Sequence, residues 1–159
     1  LEHWMSNDFS ELVSIIERNI LLRVRGEFSR LFNKWFSLLT TDAFHVNLDE
    51  NFTPVIMQAG HELDYDFLSG GERTAIALSY RLALNQIINS IHSTIKTRDI
   101  IILDEPTDGF SDKQLEKVRD ILKEINVLQL IIVSHEHKIE SFVDNLIRVR
   151  REGGYSKVE

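Results

Sequence analysis

Between Asn7 and Thr40 apolar residues return at Phe9, Val13, Ile16, Ile20, Val24, Phe28, Leu31, Trp35 and Leu38. These eight steps cover 29 positions, about 3.6 residues per step, which is the period of a straight packed helix and keeps no strict heptad. At 1.5 Å of rise per residue such a helix is on the order of 50 Å long. A domain of 159 residues does not need that length to cover itself, so part of the helix is expected to project.

The rhythm then changes. "FHVNLDENFTPVIMQAGHELDYDFL" alternates around "DEN" and predicts a β-hairpin leading into a loop. A helical stretch opens at "LSGGE" and is expected to run to about Ile95. Beyond it "DIIILDEP" and "LQLIIVSH" read as strands buried on both faces, with the amphipathic helix "DKQLEKVRDILKEI" between them. "FVDNLIRVRREGGYSKVE" reads as a hairpin closing across Gly153–Gly154. Strands alternating with helices imply crossovers and a mostly parallel sheet. The fold class expected is therefore α/β: a sheet with flanking helices, β-hairpins and a long leading helix. The organisation expected is residues 1–40 as that helix and 41–159 as one lobe.

Composition narrows the setting. The chain is 43% hydrophobic, as a folded domain requires, and has no cysteine, which excludes disulfides and thiolate metal sites. Neither an apolar run of 18 residues nor a signal-peptide pattern occurs, so an intracellular protein outside the membrane is expected. The net charge of −7, from 25 acidic and 18 basic side chains, argues against a surface that is basic all round. The local run "RVRRE", Arg148 to Glu152, reads as a solvated strand edge or as a small phosphate-contacting patch.

Candidate chemistry gathers at three places. Ser69 and Glu72 have the spacing of a capping box, which needs no glycine, yet Gly70 and Gly71 stand between them. Glycine inside a helix costs about 0.8–1.0 kcal/mol relative to alanine, so the pair suggests a close approach to the backbone there. A helix N-terminus suits an anion. At the carboxyl end of the first strand, where open α/β sheets place ligands, Asp104 could hold a hydrated Mg²⁺ and Glu105 could polarise an attacking water. Two acids capping a strand is the plain alternative. His135 ends the second strand, where a neutral imidazole can address a phosphate or a water; a polar strand terminus is its plain alternative. His137 lacks a convincing third ligand for zinc. Ser93 and Lys96 spell S-x-x-K without the other elements of that hydrolase pattern.

Taken in order, S-G-G-E before a helix, then "IIILDEP", then "IIVSH" resembles the ATP-binding-cassette ATPases over about Phe44 to Glu159. "LSGGE" looks like their signature motif, "IIILDEP" like the Walker B strand with its catalytic Glu, and "SH" like the switch histidine. "LSGGER", "LDEPT", the terminal "GGYSKVE" and the long leading helix resemble the carboxy-terminal half of the Rad-fifty type of SMC-like double-strand-break repair ATPase. The resemblance implies catalytic roles for Glu105 and His135, and Asp104 on Mg²⁺ through water. It implies that Ser69, Gly70, Gly71 and Glu72 face the γ-phosphate of ATP held by a second head. An ungapped match puts Ser111 where the D-loop usually has Asp, with Asp112 next to it as the D-loop candidate.

None of the seven glycines begins or completes G-x-x-x-x-G-K-[ST]. Without that backbone cradle and its Lys, a Walker B strand cannot hold MgATP by itself. In the resembled family the P-loop lies on the amino-terminal half, so the chain is expected to be one half of a nucleotide-binding head, with residues 1–40 as the coiled-coil root. The partners implied are that P-loop half, a second head, DNA and an Mre-eleven type nuclease at the coil root. Two other readings are a lobe of a different ABC-class ATPase and a non-catalytic module that keeps the fold.

Overall fold

The computed structural model describes residues 4–40, 44–91, 99–125 and 127–159. A π-helical turn, Trp4–Phe9, leads into helix α1, Ser10–Leu39. Its 30 residues make it about 45 Å long, and its two halves have different surroundings. From Phe28 onward one face is buried: Phe28, Leu31, Phe32, Trp35, Phe36 and Leu39. Before that, Phe9, Leu12, Val13, Ile15, Ile16, Ile20, Leu21 and Leu22 are all exposed. The helix leaves the domain, as its length predicts. At its last turn the inward position is Leu39, while Leu38 faces solvent, because a 3.6-residue period does not keep whole-number steps.

Helix α2, Gly70–Ile91, lies against the buried half of α1. The rings of Phe28 and Tyr80 are 4.9 Å apart, and Trp35 Nε1 donates to Gln86 Oε1 at 3.1 Å, so the large indole is buried with its one polar atom satisfied. The expected end near Ile95, with Ser93 and Lys96, falls outside the described residues.

Strands β1, Phe44–Leu48, and β2, Pro54–Gln58, form the expected antiparallel hairpin. Asp49 Oδ1 builds its turn by accepting from the N–H groups of Asn51 at 2.8 Å and Thr53 at 2.7 Å. Asn33 of α1 reaches this sheet: its Nδ2 donates to Val46 O and its Oδ1 accepts from Val46 N–H at 3.0 Å. A third strand, β3 at His61–Leu63, stands where a loop is predicted. Its two-residue turn is Ala59–Gly60, with φ of 50° and 83°. Two left-handed residues match the twist of a tight hairpin, and alanine in the first position hides that turn from sequence.

The parallel part of the fold is one crossover unit: β4, Ile100–Asp104, then α3, Asp112–Glu124, then β5, Gln129–Val133, with Ile102 opposite Ile131. Parallel pairing among the described residues is confined to these two strands. Neither strand is buried on both faces, which corrects the sequence expectation. Ile101 and Leu103 point into the core, whereas Ile100, Ile102, Ile131 and Val133 are exposed, Ile102 at 65%. A two-stranded sheet with one face on the core leaves the other in solvent.

The chain then passes through a 3₁₀ segment, His137–Phe142, to the hairpin of β6, Val149–Glu152, and β7, Tyr155–Val158, turning at Gly153–Gly154 as expected. Every residue of both strands is exposed. The "RVRRE" run lies here, with Arg148 paired to Glu140 at 2.7 Å. No described helix is long and apolar enough to cross a membrane.

Candidate functional site

Because β4 and β5 run side by side with Asp104 opposite Val133, their carboxyl ends meet. Asp104 closes β4 with an exposed side chain. Glu105 follows with φ of 43°, the left-handed region, and its N–H donates to Val133 O at 2.9 Å. A residue with a side chain is held there at a cost of about 1–3 kcal/mol, and such strain concentrates at functional sites. Its carboxylate meets the imidazole at the end of β5: Glu105 Oε2 is 3.0 Å from His135 Nδ1.

This contact changes the histidine. The hydrogen bond to Glu105 raises the His135 pKa, the Glu105 charge adds to it, and Glu136 and Asp108 contribute further. The imidazolium therefore persists to higher pH than in an ordinary histidine. With Nδ1–H directed at Glu105, Nε2 is left to address another group. His137 is turned to Glu140 at 3.2 Å.

The start of α2 is built as its sequence suggests. Ser69 N–H donates to Glu72 Oε2 at 2.7 Å, and Glu72 N–H donates to Ser69 Oγ at 3.3 Å, so the capping box is formed. The two glycines, however, have different neighbours. A Cβ on Gly70 would meet nothing within 4 Å. A Cβ on Gly71 would sit 2.9 Å from Gly109 O and 3.1 Å from Gln114 Oε1. This corrects the expectation that both keep space for an incoming group: the chain's own loop occupies the space beside Gly71, and Gly70 alone opens outward. Thr74 Oγ1 adds a second tie to that loop by donating to Asp108 O at 2.7 Å.

Ser111 is the N-cap residue of α3, and Asp112 is its first residue, paired with Lys138 at 2.5 Å. The D-loop candidate is thus engaged by a lysine of the 3₁₀ segment that follows His135–Glu136. Gln114 Oε1 accepts from both the N–H and the hydroxyl of Ser111, each at 3.0 Å. Gln114, Gly109 and Lys138 belong to none of the ATPase-like motifs that the sequence displays. S-x-x-Q at Ser111–Gln114 is itself a capping-box spacing and is the signal that finds the first of them.

The structure therefore brings Glu105 to His135, and Ser69 to Glu72, and links the two groups through the loop from Glu105 to Ser111. A cleft of about 340 Å³ lies beside the second group, lined by Ser69, Glu72, Ser111, Lys113, Gln114 and Lys117 among others. Among the described residues no group of three or more His, Asp or Glu gathers as a metal shell. Asp104 suits a magnesium ion only as one carboxylate donor, which is how that ion binds when waters and phosphates fill its octahedron.

No model of a known protein family matches the chain. It is 38% identical over 117 residues, 72% of its length, to the DNA double-strand break repair Rad50 ATPase of Pyrococcus abyssi. It is 30% identical, over its whole length, to the protein of the same name from Sulfurisphaera tokodaii. It spans only 13% and 16% of those two relatives. In fold it is similar to the Smc head domain with a coiled coil and joint from Pyrococcus yayanosii, with a TM-score of 0.74 and 20% identity, covering 96% of this chain and 30% of that one. An Smc head bound to the C-winged helix domain of ScpA matches with a TM-score of 0.69 and 23% identity, covering 89% and 44%. The chain therefore belongs with the archaeal Rad50 ATPases as a counterpart of one segment of them, in the fold of an SMC-type head domain.

Proposed function

We propose that this chain is the carboxy-terminal half of a Rad50-type ATPase head, completed by an amino-terminal half that carries the P-loop. The observation that supports this most is the bare face of β4–β5. Ile100, Ile102, Ile131 and Val133 are exposed on one face of a parallel sheet, directly beside Glu105 and His135. Burying one such side chain is worth about 1.5–3 kcal/mol, so a second layer or further strands against this face would be strongly favoured. Parallel sheets are normally covered on both faces. A P-loop half laid there would put ATP phosphates at the strand ends.

In the completed head Glu105 orients and polarises the attacking water, His135 addresses the γ-phosphate or that water through Nε2, and Asp104 is the residue that would hold Mg²⁺. The chemistry that the ion supplies is neutralisation of phosphate charge. Ser69, Gly70 and Glu72 at the start of α2 face the γ-phosphate of ATP in a second head, so ATP joins two heads. Asp112 lies at the edge of the same surface. DNA is bound by the closed pair, since a lobe of net charge −7 has little to attract phosphate alone. The projecting half of α1 is the coil root and the seat of an Mre-eleven type nuclease. The alternatives, another ABC-class lobe or a non-catalytic module, are not favoured, because the relatives are named as repair ATPases and the strained Glu105 is kept against His135.

Co-expression with a polypeptide carrying the P-loop half of a Rad50-type head tests this. A stoichiometric complex that hydrolyses ATP, where neither half does alone, is the expected result. Two halves that do not associate, or a complex without turnover, contradict it.

A further inference from the structure

We propose that Gln114 is a positioning residue of this ATPase, holding the first turn of α2 in register with the loop that begins at Glu105. The proposal rests on the function proposed above and adds a residue to it. Gln114 lies in the first turn of α3, where three chain segments converge. Its Oε1 accepts from Ser111 N–H and Ser111 Oγ–H, both at 3.0 Å. Its Nε2 donates to Leu39 O, in the last residue of α1, at 3.3 Å. The flat amide is pressed against Gly71, with its two polar atoms 3.1 and 3.4 Å from the place a Cβ would take.

The chemistry of the contact selects glutamine. Two donors meet one end of the side chain and an acceptor meets the other, so only a group with an acceptor and a donor at fixed separation satisfies all three. Glutamate in its place turns an oxygen toward Leu39 O. A lysine or methionine cannot accept from Ser111.

The mechanical consequence follows from what else touches Gly71. Gly109 O lies 2.9 Å from the same Cβ position, and Thr74 Oγ1 holds Asp108 O at 2.7 Å. The turn that begins at Ser69 is thus gripped between Gly109 and the Gln114 amide, and the loop that supplies Gly109 starts at Glu105. Gln114 also ties this grip to the end of α1. Loss of the amide loosens the relation between Ser69 and Glu105 without removing any group assigned to the nucleotide.

The test uses heads assembled from this chain and the P-loop half, carrying Gln114→Ala or Gln114→Glu. Nucleotide affinity is read with a fluorescent ATP analogue on dilute single heads, ATP-driven pairing by light scattering, and turnover by phosphate release. For Q114A we expect pairing and kcat to fall about tenfold with single-head nucleotide affinity held within about twofold, the split that a positioning role produces. Q114E keeps the Ser111 contacts, and a loss of about threefold is expected for it. If Q114A does not assemble, Q114E carries the same split. Variants that pair and turn over like the wild type overturn the proposal, and so does a loss of single-head affinity that matches the loss of kcat. Wild-type heads that ignore ATP overturn the underlying function, and this proposal with it; pairing wild-type heads beside an unaffected Q114A overturn the proposal alone.

Discussion

His135 Nδ1 lies 3.0 Å from a Glu105 carboxylate oxygen, across the ends of two parallel strands. The hydrogen bond and charge of Glu105 raise the His135 pKa, so the contact favours the folded state when the histidine is charged. By linkage this contribution is present below the pKa of an unfolded histidine and disappears as pH rises through the higher folded value. The side chain is mostly exposed and solvent screening keeps the effect on stability small, so the titration itself is the better readout. An NMR titration of the assembled head is expected to find His135 above the ordinary histidine range, and Glu105→Gln is expected to return it toward that range. A His135 titration that ignores Glu105→Gln contradicts the pairing.

The two glycines of the α2 turn should respond differently to alanine. At Gly71 the new methyl group meets a backbone oxygen at 2.9 Å, an overpacking that costs about 1–3 kcal/mol in urea unfolding. At Gly70 it meets nothing, and a helical alanine leaves stability unchanged or higher by up to about 1 kcal/mol. Its effect is expected on ATP-driven pairing of heads. Equal destabilisation by both substitutions contradicts the division of roles.

The exposed face of β4–β5 gives a third expectation. Ile102, 65% exposed, can become Asp here without burying a charge, so the fold of this chain should be unchanged by circular dichroism. Association with the P-loop half should weaken at least about tenfold, or about 1.4 kcal/mol, by isothermal calorimetry. An unchanged affinity places the P-loop half elsewhere.

On α1, Leu12 and Ile15 are half exposed with no core behind them. Glutamate at either position is expected to weaken binding of an Mre-eleven type nuclease by about tenfold, since a charge enters an apolar contact. ATP turnover of the assembled heads should stay intact. A scan from Phe9 to Leu22 that leaves nuclease affinity unchanged contradicts the docking site.

Much of this was legible in the residues. The 3.6 period of α1, the capping box at Ser69 and Glu72, the carboxylates at the end of β4 and the hairpin at Gly153–Gly154 are local patterns, and local chemistry decides them. What stayed hidden depends on distant parts of the chain or on another chain. An isoleucine run reads as doubly buried because its composition is that of a central strand, whereas Ile100 and Ile102 lack a cover among the described residues. The role of Gly71 depends on Gly109 and Gln114, more than thirty residues on, and no spacing rule connects them. The position of Glu105 at a strand end points to chemistry, but its left-handed backbone leaves no trace in the residues, because no residue type announces strain imposed by neighbouring strands.

The assignment of Glu105 and Ser69 to opposite faces of one composite site is tested most directly by size-exclusion chromatography of two head variants, with and without ATP. Glu105→Gln keeps size and leaves Asp104 in place but removes the charge that polarises water, so these heads should pair on ATP and stay paired. Ser69→Arg fills the outward space beside Gly70, so these heads should remain single although each still binds ATP through its own P-loop half. Glu105→Gln heads that stay single in ATP, or Ser69→Arg heads that pair normally, contradict the composite site.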